Sequence, residues 1–471
     1  MDCCPTETNQ YDLVIIGSGS ASFAAAIRAS ELGKTVAMIE RATLGGTCVN
    51  VGCVPSKTLI RAAESKFRAE HSPFRGIKLQ GAEIDFATLI REKDTLVDSL
   101  RRAKYENVLH GHDNISLIKG EASFVSSSEV RVGDRVVTGD RFLIASGADA
   151  WAPPVPGLSE TAFLTSTTLF ELESLPGSLA IIGGRSIALE LAQMMQRLGS
   201  QVTILQRSEH ILPNEDSDLT EALTGYLTDE GIRILTGVQL QKVSQGKTFS
   251  VDYQQDDEDR HLEAEQLLVA AGRRPNTEGL GLEQIGVEIN ADWSVKTDEY
   301  CRTTIPHIYA AGDVAGKPAF VYTAAYAGKL AVDNAFGNRR VRNFAPLPYV
   351  VFTDPQVARV GLNEQMAKAQ GLEIDTAKLS LDNVPRALAA RDTRGCIKLI
   401  KEKEGDHLLG ASILAPEGSE LLMEVALAIQ YKISVHELAG MLHPYLTMGE
   451  GVKLAAQTFD KDVKQLSCCA A

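Results

Sequence analysis

Long charge-free runs are missing from this chain of 471 residues. The longest, residues 13–27 and 42–56, are 15 residues each, short of the roughly 20 apolar residues that a membrane-spanning helix needs. A basic excess is missing too. Lysine and arginine number 47 against 61 acids, and 47 − 61 = −14. Nucleic acid and anionic membrane surfaces are therefore disfavoured as general partners, because either calls for a basic face. The opening residues, MDCCPTETNQ, have no basic stretch leading into an apolar one, so no secretory signal is read there. Cysteine is sparse: eight in the whole chain do not make a disulfide scaffold. What is present, 44% apolar and 23% charged residues, is ordinary globular composition. A cytoplasmic enzyme is expected, and the length suggests about three domains.

The segment YDLVII (residues 11–16) is a short apolar run stopped by Gly17, the pattern of a buried parallel strand. GSGSASFAAAIRASELG follows, a glycine turn feeding an alanine-rich helical pattern that stops at Gly33. A second strand (residues 35–39) ends in Glu40, 23 residues after Gly17. Glycines permit a tight turn and the close approach of a pyrophosphate to a helix N-terminus, and the acid binds a ribose hydroxyl. Ser22 stands where Gly or Ala is usual. The pattern then recurs: a strand at 179–182, the turn Gly183–Gly184–Arg185, a helix at 187–198 and a strand at 202–205. The same spacing of 23 from Gly183 lands on Gln206, followed by Arg207. A carboxylate there would repel a 2′-phosphate, whereas glutamine and arginine accept one. Two dinucleotide units are expected, the second suited to NADPH despite Arg185 in place of a glycine.

Apolar strands ending in glycine recur at FLIASG (142–147) and IYAAGD (308–313), where a sheet edge meets a ligand. QQDDEDR (254–260) reads as a solvated hairpin tip. Beyond about residue 343, strand patterns (395–401, 408–414) mix with a helical one (419–431), and Pro346 and Pro348 mark the entry to a separate α+β domain. The expected division is 1–150 and 273–342 for one nucleotide domain, 151–272 for the other, and 343–471 for the last.

Cys48 and Cys53 lie five apart in GGTCVNVGCVPSK, residues 45–57. Thiols at that spacing at the start of a helix come within disulfide reach, and the helix N-terminus with Lys57 favours the reactive thiolate. Redox chemistry is expected of them. Cys301 and Cys396 are isolated and read as small buried hydrophobes.

This motif, the two nucleotide units and AAGD at 310–313 together resemble the FAD-dependent pyridine nucleotide–disulfide oxidoreductases over nearly the whole chain. Within that family the long matches are to its mercuric-ion-reducing branch: KYENVL (104–109), VVFTDPQVA (350–358), SLDNVPRAL (380–388) and the stretch from His443 to Cys469. The resemblance implies an α/β fold of two Rossmann-like domains and an α+β dimerisation domain. It implies FAD, NADPH, Hg(II) bound to thiolates as substrate, and a homodimer whose subunits share active sites. Cys53 would face the flavin with Cys48 outside it, Lys57 and Glu190 would bias the flavin near N5, and Tyr105 and Tyr445 would line the metal site. The implied cofactor contacts are Gly17, Gly19, Ser20, Ala21, Glu40, Gly46, Thr47, Lys57, Ala122, Gly147, Gly183, Arg185, Gln206, Arg207, Gly272, Asp313 and Val321.

Two departures stand out. No metallochaperone-like domain with a CxxC motif is read ahead of the first unit, where Cys3–Cys4 is the only thiol pair. His443–Pro444 matches the acid–base histidine of the disulfide reductases, but their glutamate five residues on is here Met448, the nearest acid being Glu450. His443 is therefore expected to be a relic or an exposed bystander. Cys468–Cys469 points to the metal. Adjacent α-carbons are about 3.8 Å apart, below the ~4.4–6.8 Å usual for a disulfide, so the pair reads as a free dithiol for a soft ion. The alternative is a reductase of an organic disulfide of the lipoamide or low-molecular-weight-thiol type.

Overall fold

The computed structural model describes residues 9–463 and divides into two compact units. The first comprises the chain up to Thr58, then Thr88–Trp151 and Gly272–Asn343. Its sheet contains strands β1 (Gln10–Ile16), β2 (Val36–Glu40), β3 (Ile115–Lys119), β4 (Ala122–Ser126), β5 (Glu129–Val132) and β6 (Arg135–Ile144), in the order β3-β2-β1-β6-β5-β4. The first four in that order run parallel. The first residues of β6 pair antiparallel with β5, while Phe142–Ile144 pair parallel with the short strand Ile308–Ala310. Leu13–Ile16 and Val36–Ile39 are wholly buried, as strands covered on both faces must be.

Helix α1 (Ser20–Glu31) connects β1 to β2, and Gly33 (φ 70°) ends it in the left-handed region. The helix Val321–Ala335 packs on it so closely that any β-carbon on Gly328 would collide with the Ala21 carbonyl. That contact explains the alanine-rich faces better than helix propensity does: small residues let two backbones meet.

The second unit comprises Leu59–Ala87, Ala152–Ala271 and the chain from Phe344 onward. It holds a four-stranded parallel sheet in the order Arg233–Leu235, Gln201–Leu205, Ser178–Ile182, Gln266–Val269. The helix Ser186–Leu198 is almost entirely buried. Beside this sheet in sequence is a three-stranded antiparallel sheet whose tip carries Asp256 and Asp257 at positive φ, the tight hairpin expected at 254–260. The last part is a five-stranded antiparallel sheet, Pro348–Val351 to Ile374–Ser380, with the helix Leu422–Gln430 on it. The helical pattern at 419–431 therefore begins as a 3₁₀ turn, Gly418–Leu421, before becoming α-helical. No helix among the described residues is long and apolar enough to cross a membrane.

One buried cation ties this unit together. The Lys398 side chain is 2% exposed and its Nζ lies 2.7 Å from Asp218, 2.8 Å from Glu364 and 3.3 Å from Asp216. Burial alone would push the ammonium pKa down, but those hydrogen bonds and charges hold it above the ordinary lysine range. Removing one member of such a cluster strands the others. Lys398→Met is expected to cost about 3 kcal/mol, read as a lower denaturant midpoint; an unchanged midpoint would show that the cluster is solvated.

A candidate redox site beside a dinucleotide cradle

The turn after β1 requires glycine at its first position. Gly17 sits at φ 110°, and a β-carbon there would strike the Ala145 carbonyl. Gly19 caps α1 with no side-chain hydrogen bond, so the amides of Ser20, Ala21 and the rest of the first turn face outward without a side-chain cap. Unpaired amides and the helix dipole together favour an anion. At the end of β2, Glu40 accepts from the Ser18 hydroxyl at 2.6 Å and from the Ala42 amide at 2.7 Å. The Ser18 oxygen in turn accepts from the Gly45 amide at 3.1 Å. A glycine-lined approach, open helix amides and an oriented carboxylate form a donor set that fits the diphosphate and ribose of a dinucleotide such as FAD.

The thiol segment is docked onto this cradle by its own glycines. Gly45 and Gly46 lie at φ 101° and 67°. A β-carbon on Gly46 would be 2.6 Å from the Gly19 α-carbon, and one on Gly45 would be 2.7 Å from Val49 and 3.3 Å from the Tyr105 ring. Two helices follow rather than one: α2 (Gly46–Asn50) carries Thr47 and Cys48, and α3 (Cys53–Glu70) opens on Cys53. The break has a local cause. At Gly52 a β-carbon would stand 3.0 Å from the Thr47 carbonyl oxygen and 3.4 Å from the Cys48 α-carbon, so glycine lets the chain fold back and bring the second thiol to the first. Asn50 braces the loop, donating to the carbonyls of Leu44 and Gly46 at 2.9 Å and accepting from Arg101 at 3.0 Å.

Cys48 is half-buried, Cys53 exposed, and neither is in a disulfide. The Cys48 thiol is pushed far above the usual range, first by its hydrogen bond to Cys53, then by burial and by the Cys53 charge, with Lys57 pulling the other way. The direction of that shift favours the proton on Cys48 within the hydrogen-bonded pair. Cys53 begins an 18-residue helix, where the dipole favours negative charge. Tyr105 overlooks both thiols. Its phenol is held above the ordinary value by burial first and then by the charges of Cys48 and Cys53, and its ring stands edge-on to Phe23 with centroids 4.8 Å apart. Tyr105 belongs to a π-helical turn, Arg102–Glu106, an irregularity common at functional sites that the sequence pattern does not announce.

The other expected residues of the first unit surround the same sheet. Gly147 (φ 73°) accepts from the Asn276 amide at 2.9 Å, and Gly272 accepts from the Trp151 amide at 3.0 Å. Ala122 opens β4, and Val321 is the exposed first residue of its helix. Asp313 follows Gly312 at the end of the Ile308–Ala310 strand; burial pushes its carboxyl up, and Arg273, 3.6 Å away, opposes that.

In the second unit the cradle is rebuilt with different parts. A β-carbon on Gly183 (φ 122°) would lie 2.5 Å from the Ala270 carbonyl oxygen. Arg185 caps the helix Ser186–Leu198 in an extended conformation (φ −104°) that any residue adopts, with no side-chain cap. These open amides likewise fit a dinucleotide diphosphate. Gln206 is buried against Gly184, its amide on the His210 carbonyl at 3.4 Å, while Arg207 is exposed. Glu190 accepts from the Phe352 amide at 3.0 Å. Tyr445 is 55% exposed. His443 is not the exposed bystander expected: its side chain is 8% exposed, and its Nε2 lies 2.5 Å from Glu424, 19 residues earlier in the chain. A partner so far away in sequence has no spacing signal. Glu450 instead accepts from the Leu446 amide. Cys3, Cys4, Cys468 and Cys469 lie outside the described residues, among which no cluster of metal-ligand residues is found.

Comparison with known proteins adds to this geometry. The pyridine nucleotide-disulphide oxidoreductase family matches residues 11–328, and its dimerisation domain matches 347–456. Among curated relatives, the mercuric reductase of Staphylococcus aureus is 46% identical over 462 residues, 98% of this chain and 84% of that one. That of Acidithiobacillus ferrooxidans is 48% identical, covering 98% and 85%; that of Streptomyces lividans is 45% identical, covering 98% of both. Among solved structures, the Cu(II) complex of an HOCl-induced flavoprotein disulfide reductase from Escherichia coli superposes with a TM-score of 0.86 at 31% identity, over 96% of this chain and all of that one.

The asymmetry of the thiols is open to test. In the reduced, flavin-free protein at neutral pH, iodoacetamide is expected to alkylate the exposed Cys53 before the half-buried Cys48, followed by peptide mass spectrometry. Preferential labelling of Cys48 would reverse the assignment of the proton.

Proposed function

The chain belongs to the pyridine nucleotide-disulphide oxidoreductase family, and on that premise we propose that it is a mercuric ion reductase, catalysing NADPH + Hg(II) → NADP⁺ + H⁺ + Hg(0). The observation that carries the reading is the thiol pair itself. Cys48 and Cys53 share one proton beside Tyr105, on a segment docked against a dinucleotide cradle. The relatives named above are mercuric reductases, and they match along nearly the full length of this chain.

In this reading FAD, when bound, supplies the two-electron relay between a nicotinamide and the thiol pair. The chain does the rest. Gly17, Gly19 and Gly46 admit the diphosphate, and Glu40 takes a ribose hydroxyl. Lys57 places a positive charge beside the thiols, which favours loss of the Cys48 proton when a metal competes for the sulfur. Two thiolates then clamp a soft ion that one would hold poorly. Cys468–Cys469 are the proposed first acceptors, exchanging ligands stepwise with incoming thiol complexes. Tyr445 and Glu190 keep the roles their positions imply in the family. Arg207, exposed after the second strand of its unit, is the cation proposed for the 2′-phosphate of NADPH.

The division proposed is a FAD domain from 1–150 and 273–342, an NADPH domain from 151–272, and a dimerisation domain from 343. The match at 347–456 supports a homodimer, and a cytoplasmic enzyme with active sites shared between subunits goes with it.

The deciding assay is anaerobic NADPH oxidation by the purified protein with Hg(II) in excess thiol. Stoichiometric mercury vapour is expected, faster with NADPH than NADH, with little turnover of oxidised glutathione or lipoamide. Cys468→Ala/Cys469→Ala should slow this turnover strongly while leaving bound flavin intact. Efficient reduction of an organic disulfide without mercury vapour would replace the proposal with the alternative reductase.

A further inference from the structure

The hydroxyl of Tyr349 reaches the nucleotide turn of the second unit. Tyr349 lies on the strand Pro348–Val351 of the last sheet, and its phenolic oxygen is 2.8 Å from the Ser186 hydroxyl. Ser186 is the first residue of the helix Ser186–Leu198, directly after the turn Gly183–Arg185. Three further contacts fix the register of this pair. The Phe352 amide donates to Glu190 at 3.0 Å, the Asp354 amide donates to the Gln193 side-chain oxygen at 2.7 Å, and Arg197 donates to the Asp354 carboxylate at 2.9 Å. Residues 186, 190, 193 and 197 share one face of a helix. The segment 349–354 therefore runs along that face, and Tyr349 is the part of it that meets the first turn.

The phenol is a proton donor in this position. Burial pushes it up to about 12, with the Ser186 hydrogen bond and Arg359 pulling down and Glu215 and Glu190 pushing up. It is thus neutral at neutral pH and carries its hydrogen. Its ring is held as well: the Arg359 guanidinium stands over it at 5.3 Å, and Arg359 is paired with the buried Glu215 at 3.0 Å. A serine oxygen that accepts from a tyrosine keeps its own O–H for another acceptor. Ser186 stands at the helix end whose amides fit a diphosphate, so that O–H adds one donor to theirs.

We propose that Tyr349 is a positioning residue for the nicotinamide nucleotide: its O–H donates to Ser186, and the Ser186 O–H then donates to the nucleotide diphosphate. The last sheet thereby takes part in NADPH binding through a residue that does not itself touch the nucleotide. The proposal rests on the second unit being the NADPH site.

The test titrates NADP⁺ and NAD⁺ into the FAD-containing protein by calorimetry, with the melting temperature measured alongside. S186A should weaken both nucleotides about tenfold, the size of one hydrogen bond to a charged group, and S186T, which keeps the hydroxyl, should weaken them less. Y349F removes one oxygen and should weaken both roughly three- to tenfold. The two nucleotides fall together because they share the diphosphate, the 2′-phosphate being left to Arg207. Since Tyr349 acts through Ser186, Y349F should add nothing in an S186A background. Wild-type affinity in Y349F overturns the proposal, even with a lower melting temperature, because Tyr349 is then only a brace for the helix. A Y349F loss that persists in full in S186A overturns it too, since the serine is then not the intermediary. Should Y349F not accumulate, S186A still decides, and wild-type affinity in that variant refutes the relay. A wild-type protein that binds neither nucleotide would instead sink the assignment of the NADPH site.

Discussion

Where Gly46 rests on Gly19, backbone lies against backbone. A β-carbon on Gly46 would be 2.6 Å from the neighbouring α-carbon, which no real side chain tolerates, and the left-handed φ of Gly46 adds a second reason for glycine. Everything proposed for the site depends on this contact. It sets the start of α2, which carries Cys48, against the turn proposed to receive a dinucleotide. The Gly45 amide, through the Ser18 hydroxyl, connects the same segment to Glu40. A thiol pair and a nucleotide cradle become one rigid part.

The second unit builds its turn with a different residue at the helix cap. Arg185 stands where Gly19 stands in the first unit, at the cap of the nucleotide helix. Neither residue has a backbone angle that demands glycine. A β-carbon on Gly19 would meet nothing closer than the Gly46 α-carbon at 4.0 Å, so at that contact it is Gly46 that must be glycine; Arg185 is exposed. What looks in the sequence like a damaged glycine motif has lost no backbone angle that only glycine adopts. The glycine that remains indispensable in both, Gly17 or Gly183, is the one whose β-carbon would enter a strand-end carbonyl.

Features with a local cause could be read from the chain. Both strand–turn–helix units follow from apolar runs, glycines and the spacing to Glu40 and Gln206, and the five-residue spacing of Cys48 and Cys53 pointed to paired thiols. Features made by distant residues could not. Glu424 reaches His443 from a helix 19 residues earlier, whereas the residue five positions downstream is Met448. The π-turn that presents Tyr105 has no periodicity of its own. Which of Gln206 and Arg207 faces outward was not legible either: Gln206 packs against Gly184 and Arg207 is exposed.

The central claim is that Cys48 holds the proton and Cys53 is the thiolate of the pair, turned toward the flavin. A thiolate against oxidised flavin gives long-wavelength absorption, so two-electron-reduced protein should show such a band. Measuring it in single variants separates the thiols: Cys53→Ala should abolish it, and Cys48→Ala should retain it, even before reduction. A band that survives loss of Cys53 and disappears with Cys48 would contradict the account.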